Sequence, residues 1–472
     1  MLPDDVLLDI FDLYVDKAPD GGEHPFKDLS TKKEIESWQP LVHVCRQWRC
    51  VVFGSPRRLN LRLVYTHKTP VRDTLDVWPA LPLLIKGNVS NTTWADKFVA
   101  VLKHSERIEK IDLYGHDATL PFEKVFATMR ESLPELTVLV LQLHFIFGTV
   151  SPVLPDSFLG RSAPRLRRLE LKGISFPGLP KLLLSATHLV NLKLCNIPHS
   201  GYISPKAIVT ALSALTSLKR FKLQFESRQS RPGRTRCPPP LTRSVLPVLT
   251  FFSFNGVSEY LDDLVARIDT PRLDNLSITF FEQVVFDTPH LVQFIGRTLT
   301  LEALKEAHIF FEDTAAGVSS QSSYGMLSVK IPSHGGLDNH VMSLEMICTS
   351  CLPLSMSEDL YIYENIHRPP DWQDEFEDRL WVELLQPFTA VKNLYVSEVI
   401  MPHVVPSLQE LVGGGTTEVL PALQNIFLEE LQPLERDQEV IEKFVAARQL
   451  SGHPITVSLW EREFCFVDFY DR

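Results

Sequence analysis

The chain has 472 residues, of which 44% are hydrophobic and 22% are charged. This length exceeds a single small core and fits two or three ordinary domains or one elongated array of repeats. The formal net charge of −11 at pH 7 excludes a general nucleic-acid binder, because such a protein needs a basic face to replace the counterions on phosphate.

The sequence also predicts the cellular compartment. It contains no stretch of eighteen or more apolar residues, which is the length that a membrane-spanning helix requires. The amino terminus carries acidic residues where a signal peptide needs a basic region. Seven cysteines, an odd number in a large chain, are typical of reduced thiols. We therefore expect a cytoplasmic or nuclear protein without membrane or nucleic-acid partners.

The first stretch, residues 2–16, predicts a helix with a very wide apolar surface. Pro3 suits the first helical position, and Asp4 places negative charge at the positive end of the helix dipole. Nearly all other positions are apolar, so either the domain wraps this helix or a partner protein covers part of it. The exceptions are aspartates on one narrow stripe of the helix, namely Asp5, Asp9, Asp12 and Asp16.

A second helix is predicted to start at Pro40, after a polar loop at residues 17–37. Its apolar residues recur at the spacing of an amphipathic helix that faces a core. After Pro56, the alternation of apolar and polar residues at 59–63 predicts a strand, and a second apolar run follows at 78–85. The apolar positions of the second helix are Leu41, Val44, Cys45, Trp48 and Val52.

These segments carry a resemblance to a known family. The run Leu-Pro-x-x-Val-Leu-Leu-x-Ile-Phe at residues 2–11, then Val-Cys-Arg-x-Trp-Arg at 44–49, then Pro56 and Leu-Asn-Leu at 59–61, resembles an F-box. Together with a leucine-rich remainder, the chain resembles the F-box proteins abundant in mushroom-forming fungi. An ordinary core helix without a partner remains the alternative interpretation of the first helix.

The resemblance implies a small helical F-box domain at residues 1–64, with a long insert at 17–37. In that family the F-box docks on the Skp adaptor and, through it, on a cullin ubiquitin ligase. Because Leu7, Ile10 and Phe11 lie opposite the aspartate stripe, we expect them to enter the groove of the adaptor. Leu2, Pro3 and Val44 would border this contact, and Trp48 would hold the two helices together.

A phrase of the form L-x-x-L-x-L recurs along the next part of the chain. Its copies start 23 to 31 residues apart by subtraction of their residue numbers. Each copy predicts a short strand, and the stretches 122–133, 205–215 and 259–268 between copies predict amphipathic helices. One strand-helix unit cannot bury its own apolar face, so the units must stack. The copies begin at Ile108, Leu136, Leu166, Leu189, Leu218, Leu249, Leu273 and Leu304.

Beyond about residue 310 the repeat becomes irregular. Residues 313–323 predict a turn-rich loop, and 326–331 an extra strand. Strands return at 360–362, 394–396, 426–428 and 455–460, with helices at 340–348, 374–385 and 438–448. The aromatic tail at 464–470 is interpreted as a cap on the last repeat. The predicted fold class is α/β, with residues 65–472 forming an irregular leucine-rich-repeat solenoid, a curved sheet of short strands backed by helices.

Motifs that would indicate chemistry are weak. Cys348 and Cys351 form a lone C-x-x-C pair, and zinc needs four ligands. The glycines at 413–415 lack the lysine of a phosphate loop and follow a predicted helix, so they indicate a helix end. The acidic cluster at 371–378 is interpreted as a solvated helix face. We therefore expect no enzymatic activity, no catalytic or metal-binding residues, and no cofactor.

One basic segment stands out on this acidic chain. Five arginines and three consecutive prolines fall between residues 228 and 243. A flexible inserted loop is one interpretation. The alternative is a partner-binding loop, because guanidinium groups pair well with the carboxylates or phosphates of an acidic or phosphorylated protein. The arginines are Arg228, Arg231, Arg234, Arg236 and Arg243.

The function implied by the resemblance is substrate recognition within a Skp-cullin-F-box ubiquitin ligase. The F-box would dock on the Skp adaptor, and the solenoid would hold the protein to be ubiquitinated. Two alternatives stay open: a scaffold that acts with the adaptor outside any ligase, and a hydrolase on an α/β fold with a polar cleft at the strand ends.

Overall fold

The computed structural model describes most of the chain, and the described residues fall into two compact units. One unit comprises the described residues up to Lys193, and the other lies within Leu194–Glu463. The predicted domain boundary between residues 64 and 65 lies inside the first unit. The described residues are 2–15, 36–66, 78–89, 92–116, 119–144, 151–229, 242–282, 286, 288–302, 305–321, 325–332, 337–350, 352, 354–365, 378–410, 419–429, 435–450 and 452–461.

The first unit begins with helices and continues with alternating strands and helices. The helices are α1 (Asp4–Val15), α2 (Gln39–Val42), α3 (Arg46–Gly54), α4 (Thr92–Leu102), α5 (Thr119–Thr128) and α6 (Leu179–Leu183). The strands are β1 (Leu63–Tyr65), β2 (Leu83–Asn88), β3 (Ile108–His116), β4 (Val138–His144) and β5 (Arg168–Lys172). The division between the units falls inside β6 (Asn191–Ile197).

The second unit also alternates strands with helices. Its helices are α7 (Pro205–Leu212), α8 (Ser258–Val265), α9 (Pro289–Gly296), α10 (Leu299–Glu302), α11 (Leu337–Ser350), α12 (Asp378–Leu385), α13 (Met401–Glu410) and α14 (Glu435–Leu450). Its strands are β7 (Arg220–Phe225), β8 (Ser244–Val245), β9 (Phe251–Gly256), β10 (Ile268–Asp269), β11 (Asn275–Phe280), β12 (Glu306–Glu312), β13 (Ala315–Gln321), β14 (Met326–Pro332), β15 (Asp359–Glu364), β16 (Asn393–Val396), β17 (Asn425–Leu428) and β18 (Thr456–Leu459).

The strands of the first unit form a parallel sheet in the order β1, β2, β3, β4, β5. The repeated phrase sets the register, because Leu139 of β4 pairs with Ile111 of β3 and with Leu169 of β5. These three side chains are fully buried, whereas Lys110 and Asp112 on the other face of β3 are half-buried. Alternation of side chains along a strand produces this difference between the two faces.

The second unit keeps the same register over its first strands. Phe252 of β9 pairs with Phe221 of β7 and with Leu276 of β11, all in parallel. The rings of Phe221 and Phe252 are stacked, with centroids 5.2 Å apart. The last two apolar positions of each of the eight predicted phrases lie on a strand, as their spacing predicts.

The seventh and eighth phrases are not neighbours in the sheet. The strand order in this part is β11, β14, β13, β12, β15, with β13 antiparallel to both of its neighbours. The strand predicted at 326–331 is confirmed as β14. The loop predicted at 313–323 is wrong, because 315–321 form β13. Small residues suit this strand: a Cβ atom on Gly317 would overlap the ring of Phe310 on β12.

Helices of the second unit cover one face of these strands. A buried cluster joins Ile362 and Leu394 of the sheet to Leu344 of α11, Leu384 of α12 and Val404 of α13. The predicted helix at 438–448 is confirmed as α14, and Ser204 caps α7 by accepting a hydrogen bond from the Ala207 amide, as the sequence predicts.

Two predicted elements near the amino terminus need correction. The single helix predicted from Pro40 is interrupted, because Cys45 has extended backbone and caps α3 through its Sγ atom, 3.5 Å from the Trp48 amide nitrogen. The strand predicted at 59–63 begins only at Leu63. Asn60 has a φ of 47° within the preceding turn, and this left-handed conformation does not fit a strand.

Side chains close the outer edge of β1, the first strand in the order. Leu63 donates its backbone N–H to Pro82 on the β2 side, so the backbone groups of Arg62 and Val64 point away from the sheet. The Val64 amide donates to Oε1 of Glu36 over 2.8 Å, and the Trp38 indole donates to the Arg62 carbonyl over 3.1 Å. Both Glu36 and Trp38 are buried.

The predicted core positions on the strands can be tested by truncation. Leu171, Leu194 and Leu223 are all buried, as predicted, and Leu223 is only 1% exposed. Leu223→Ala should destabilise the protein by about 2–5 kcal/mol through lost transfer energy and a cavity. We expect a clearly lower denaturation midpoint for this variant. Leu450→Ala is the matched control, since Leu450 is 90% exposed, and equal midpoints for both variants would contradict the assigned register.

Candidate interaction surfaces

The helix α1 packs on α3 through two apolar side chains. Leu7 is 3% exposed and Phe11 is fully buried. The ring of Phe11 meets Trp48 edge to face, with centroids 4.8 Å apart, so Trp48 joins the two helices as predicted. Leu7 and Phe11, which the sequence predicts as adaptor contacts, therefore have almost no accessible surface in this structure, and other side chains form the outer face of α1.

Polar contacts fix the same helix on its other side. Arg58 pairs with Asp12 over 2.8 Å and with Asp9 over 2.5 Å, and the hydrogen bonds that its guanidinium donates to these two carboxylates raise the pKa of the guanidinium. Gln47 of α3 donates to Oδ1 of Asp4 over 3.0 Å. The aspartate stripe thus binds the rest of the helical segment and leaves the remaining face of α1 outward.

That remaining face is apolar and exposed. Of the predicted contact residues, Leu2, Pro3, Ile10 and Val44 lie at the surface. The structure adds three exposed residues that the sequence interpretation missed. We call the six large side chains the α1 patch: Leu2 (52% exposed), Val6 (38%), Ile10 (44%), Leu13 (74%), Tyr14 (49%) and Val44 (59%). Positions 2, 6, 10 and 13 follow helical steps of four, four and three, which was the signal available in the sequence.

A second surface lies on the sheet of the second unit, on the face opposite the helices. One residue from each of four adjacent strands pairs in register there and forms a stack of rings: His308, Tyr361, Tyr395 and Phe427. The centroid distances are 4.6, 4.2 and 4.5 Å along the stack. Trp460 lies against Tyr361 and Tyr395 at 5.9 and 5.7 Å. All five rings are partly exposed.

A polar row runs beside these rings, two residues earlier on each strand. Asn393 donates to Asp359 over 2.7 Å, Asn425 donates to Asn393 over 2.8 Å, and Thr456 donates to Asn425 over 2.5 Å. The chain of donors ends on the Asp359 carboxylate, which pairs in register with Glu306. The face therefore combines aromatic rings with amides and carboxylates, a set of groups suited to binding protein segments.

Burial controls the ionisation of the rings in the stack. Loss of solvent lowers the pKa of His308 to about 4, so its imidazole is neutral at pH 7. Burial also raises the pKa values of Tyr361 and Tyr395. The ring stack consequently carries no charge of its own near neutral pH, and Asp359 and Glu306 place carboxylates beside it.

Only the two ends of the arginine-rich segment are described. Arg228 pairs with Glu282 over 2.6 Å, and Arg243 lies 3.9 Å from Asp269. Both guanidinium groups therefore face carboxylates of their own unit. Arg231, Arg234 and Arg236 lie outside the described residues.

The other sequence motifs are only partly described. Cys348 is buried in the core of the second unit, whereas Cys351, the glycines at 413–415 and the aromatic tail at 464–470 lie outside the described residues. Of the acidic cluster at 371–378, the structure describes only Asp378, where α12 begins. Within the described part of the chain, no helix is long and apolar enough to cross a membrane.

Comparison with solved structures gives only distant similarity. Among solved structures, the chain is similar to the leucine-rich repeat-containing protein LegL7 from Legionella pneumophila, with a TM-score of 0.27 and 11% sequence identity. The match covers 83% of this chain and 98% of that one. A TM-score of this size does not establish a common fold. No family model matches the chain, and no curated protein matches it either.

The desolvation of His308 predicts a pH dependence of stability. The pKa of His308 is about 4 in the folded protein and about 6.5 in an unfolded chain, so between these values only the unfolded state gains the proton. Stability should be fully present above about pH 6.5 and fall as the pH drops towards 4, with His308 contributing a loss of up to about 3 kcal/mol.

The variant His308→Phe isolates this contribution, because it keeps a ring in the stack and removes the titrating group. Denaturation midpoints at neutral pH and near pH 4.5 provide the measurement. We expect the midpoint of the variant to fall less than that of the wild type between the two conditions. The same fall in both proteins would show that His308 is already protonated, or solvated, in the folded state.

Proposed function

We propose that this chain is a substrate-recognition subunit of a Skp-cullin-F-box ubiquitin ligase. Its helical segment docks on the Skp adaptor through the α1 patch, and its sheet-and-helix repeats hold the target protein. The chain performs no bond chemistry of its own. Its contribution to catalysis is proximity, since it holds the target beside the subunits that transfer ubiquitin.

The α1 patch is the observation that carries this proposal. Six large apolar side chains lie exposed on and beside one helix, and such a continuous apolar face favours a protein partner. Leu2, Val6, Ile10 and Val44 of the patch fall in the F-box-like sequence blocks, while Leu7, Phe11 and Trp48 hold the helices together. The proposed adaptor contact therefore differs from the predicted set: Leu2, Pro3, Ile10 and Val44 remain in it, and Val6, Leu13 and Tyr14 replace Leu7 and Phe11.

The target-binding part of the proposal is supported by the second unit. Its ring stack and polar row present side chains from adjacent strands on one face, with spacing fixed by the sheet register. A rigid sheet orders these groups in advance, so less conformational entropy is lost when a partner binds. The expected substrate is a protein segment in contact with this face.

A single charge in the α1 patch tests adaptor docking. Ile10→Asp buries an unpaired carboxylate if the patch meets the adaptor, which should weaken binding by several kcal/mol, or more than about tenfold. The measurement is capture of the purified Skp adaptor by the immobilised full chain, with the thermal midpoint of each variant measured in parallel.

Leu184→Asp is the matched control, because Leu184 is 51% exposed and lies away from α1, at the end of α6. We expect this control to capture the adaptor like the wild type. Undiminished capture by folded Ile10→Asp would contradict docking through this patch. Capture of the adaptor together with a cullin supports the ligase, whereas the adaptor without a cullin supports the scaffold alternative.

The arginine-rich segment is proposed as an additional contact for an acidic or phosphorylated target. Replacement of its arginines (Arg228, Arg231, Arg234, Arg236 and Arg243) by serine should weaken capture of a phosphorylated target peptide, and the wild-type interaction should weaken in raised salt. Since Arg228 and Arg243 already face carboxylates, Arg379→Ser serves as a control that removes an exposed guanidinium paired with Glu383 on α12. If all variants capture the target peptide equally at both salt concentrations, the arginine-rich segment does not contribute to binding and acts as a flexible spacer.

A further inference from the structure

The second unit ends in a strand whose outer edge has no partner among the described residues. The strand β18 is last in the sheet order and pairs only with β17. All four of its residues, Thr456–Leu459, are exposed. None of the four is charged or a proline, although these are the usual means by which proteins protect a free edge.

The backbone of β18 presents its free groups in an alternating order. Thr456 donates to the Gln424 carbonyl over 2.9 Å, and Trp460 donates to the Leu428 carbonyl over 2.7 Å. In a parallel ladder, the residues between such donors direct their N–H and C=O groups to the other side. The backbone groups of Val457 and Leu459 therefore point outward, ready to pair with another strand.

An apolar groove lies beside this edge, between β17, β18 and α14. Its volume is about 450 Å³. Ile441, Val445 and Ile455 line it together with Val457, whose side chain is 37% exposed. A strand added to β18 would place alternate side chains over this groove, so an apolar residue at those positions would lose its contact with water.

The charges near the groove indicate the chemistry of the added strand. Glu442 is among the lining residues, and Glu461 is exposed just after β18. The whole chain carries a net charge of −11, so a second copy would approach against charge repulsion. A basic segment has the complementary charge.

We propose that the β18 edge and its groove bind an extended basic segment of another protein by strand addition. Backbone hydrogen bonds to Val457 and Leu459 provide the pairing, apolar side chains enter the groove, and lysines or arginines in the same row of side chains, which faces α14, lie near Glu442 and Glu461. This surface is separate from the α1 patch, and its occupation does not depend on the proposed ligase role.

The experiment uses the full chain and a fluorescent peptide in which threonine alternates with valine and lysine, so that all valines and lysines lie on one face of the strand, with binding followed by fluorescence anisotropy. Three matched peptides accompany it: one with the same composition in blocks, one with glutamate in place of lysine, and one with N-methyl groups on alternate amides. The alternating basic peptide should bind at least about tenfold more tightly than any of the three, because each lacks either the pattern, the charge or the backbone donors.

Variants of β18 and α14 locate the binding site on the protein. Val457→Pro removes an outward N–H while leaving the hydrogen bonds to β17, since proline is tolerated on an edge strand whose N–H faces solvent. It should reduce affinity at least about tenfold, whereas Val457→Thr keeps the amide and should bind almost normally. Glu442→Gln should lower the affinity for the basic peptide and should not lower the affinity for the glutamate peptide.

Several outcomes would overturn the proposal. Equal affinity for the N-methylated and unmodified peptides would mean that backbone pairing is absent, and this comparison decides the matter even if Val457→Pro fails to fold. Absence of binding to the full chain would mean that the edge is occupied or inaccessible. If the wild type sediments as a dimer and Val457→Pro sediments as a monomer, the edge of β18 binds a second copy of this chain instead.

Discussion

In-register pairing of the repeated apolar positions is the constraint on which the strands depend. Side chains alternate between the two faces of a strand, so a shift by one residue would move Leu139 from the core to the opposite face. Its pairing with Ile111 and Leu169 keeps three buried residues side by side. Each strand alone could not bury these side chains, and the neighbouring strands and the covering helices supply the missing contacts.

The same constraint explains why the second unit tolerates an altered strand order. Between β11 and β12 the inserted strands keep the core row continuous, since Ile278 pairs with Val329, Val329 with Val318, and Val318 with Ile309. The apolar side chains of the eighth phrase are buried beside β13 and β15, as they would be if β11 were the neighbouring strand. Hydrophobic periodicity specifies which face is buried and contains no information on which strand lies next to it.

The sequence predicted the strands well and the helical segment less well, for physical reasons. Regular spacing identified all eight phrases and most later strands, because one side of a half-buried strand must be apolar. The helix α1 is apolar over nearly its whole surface, so periodicity could not decide that Leu7 and Phe11 are buried while Ile10 is exposed. The helical segment is interrupted at Cys45 because the Cys45 side chain caps α3. The regular spacing of apolar residues continues through this position and therefore does not indicate the break. The sequence did not predict the ring stack, because its rings come from strands that are far apart in the chain and the register between those strands must be known first.

The outer edges of β1 and β18, the first and last strands of the order, differ in how their unpaired backbone groups are bonded. A terminal strand leaves outward backbone groups unpaired, and a buried unpaired group is costly. At β1, the Glu36 carboxylate and the Trp38 indole bond these groups, and all three residues of the strand are buried. At β18, the strand is exposed on both faces and its outward groups have access to solvent. A second strand can replace water on these groups at little cost, whereas the edge of β1 would first have to lose its two hydrogen bonds, one buried and one partly buried.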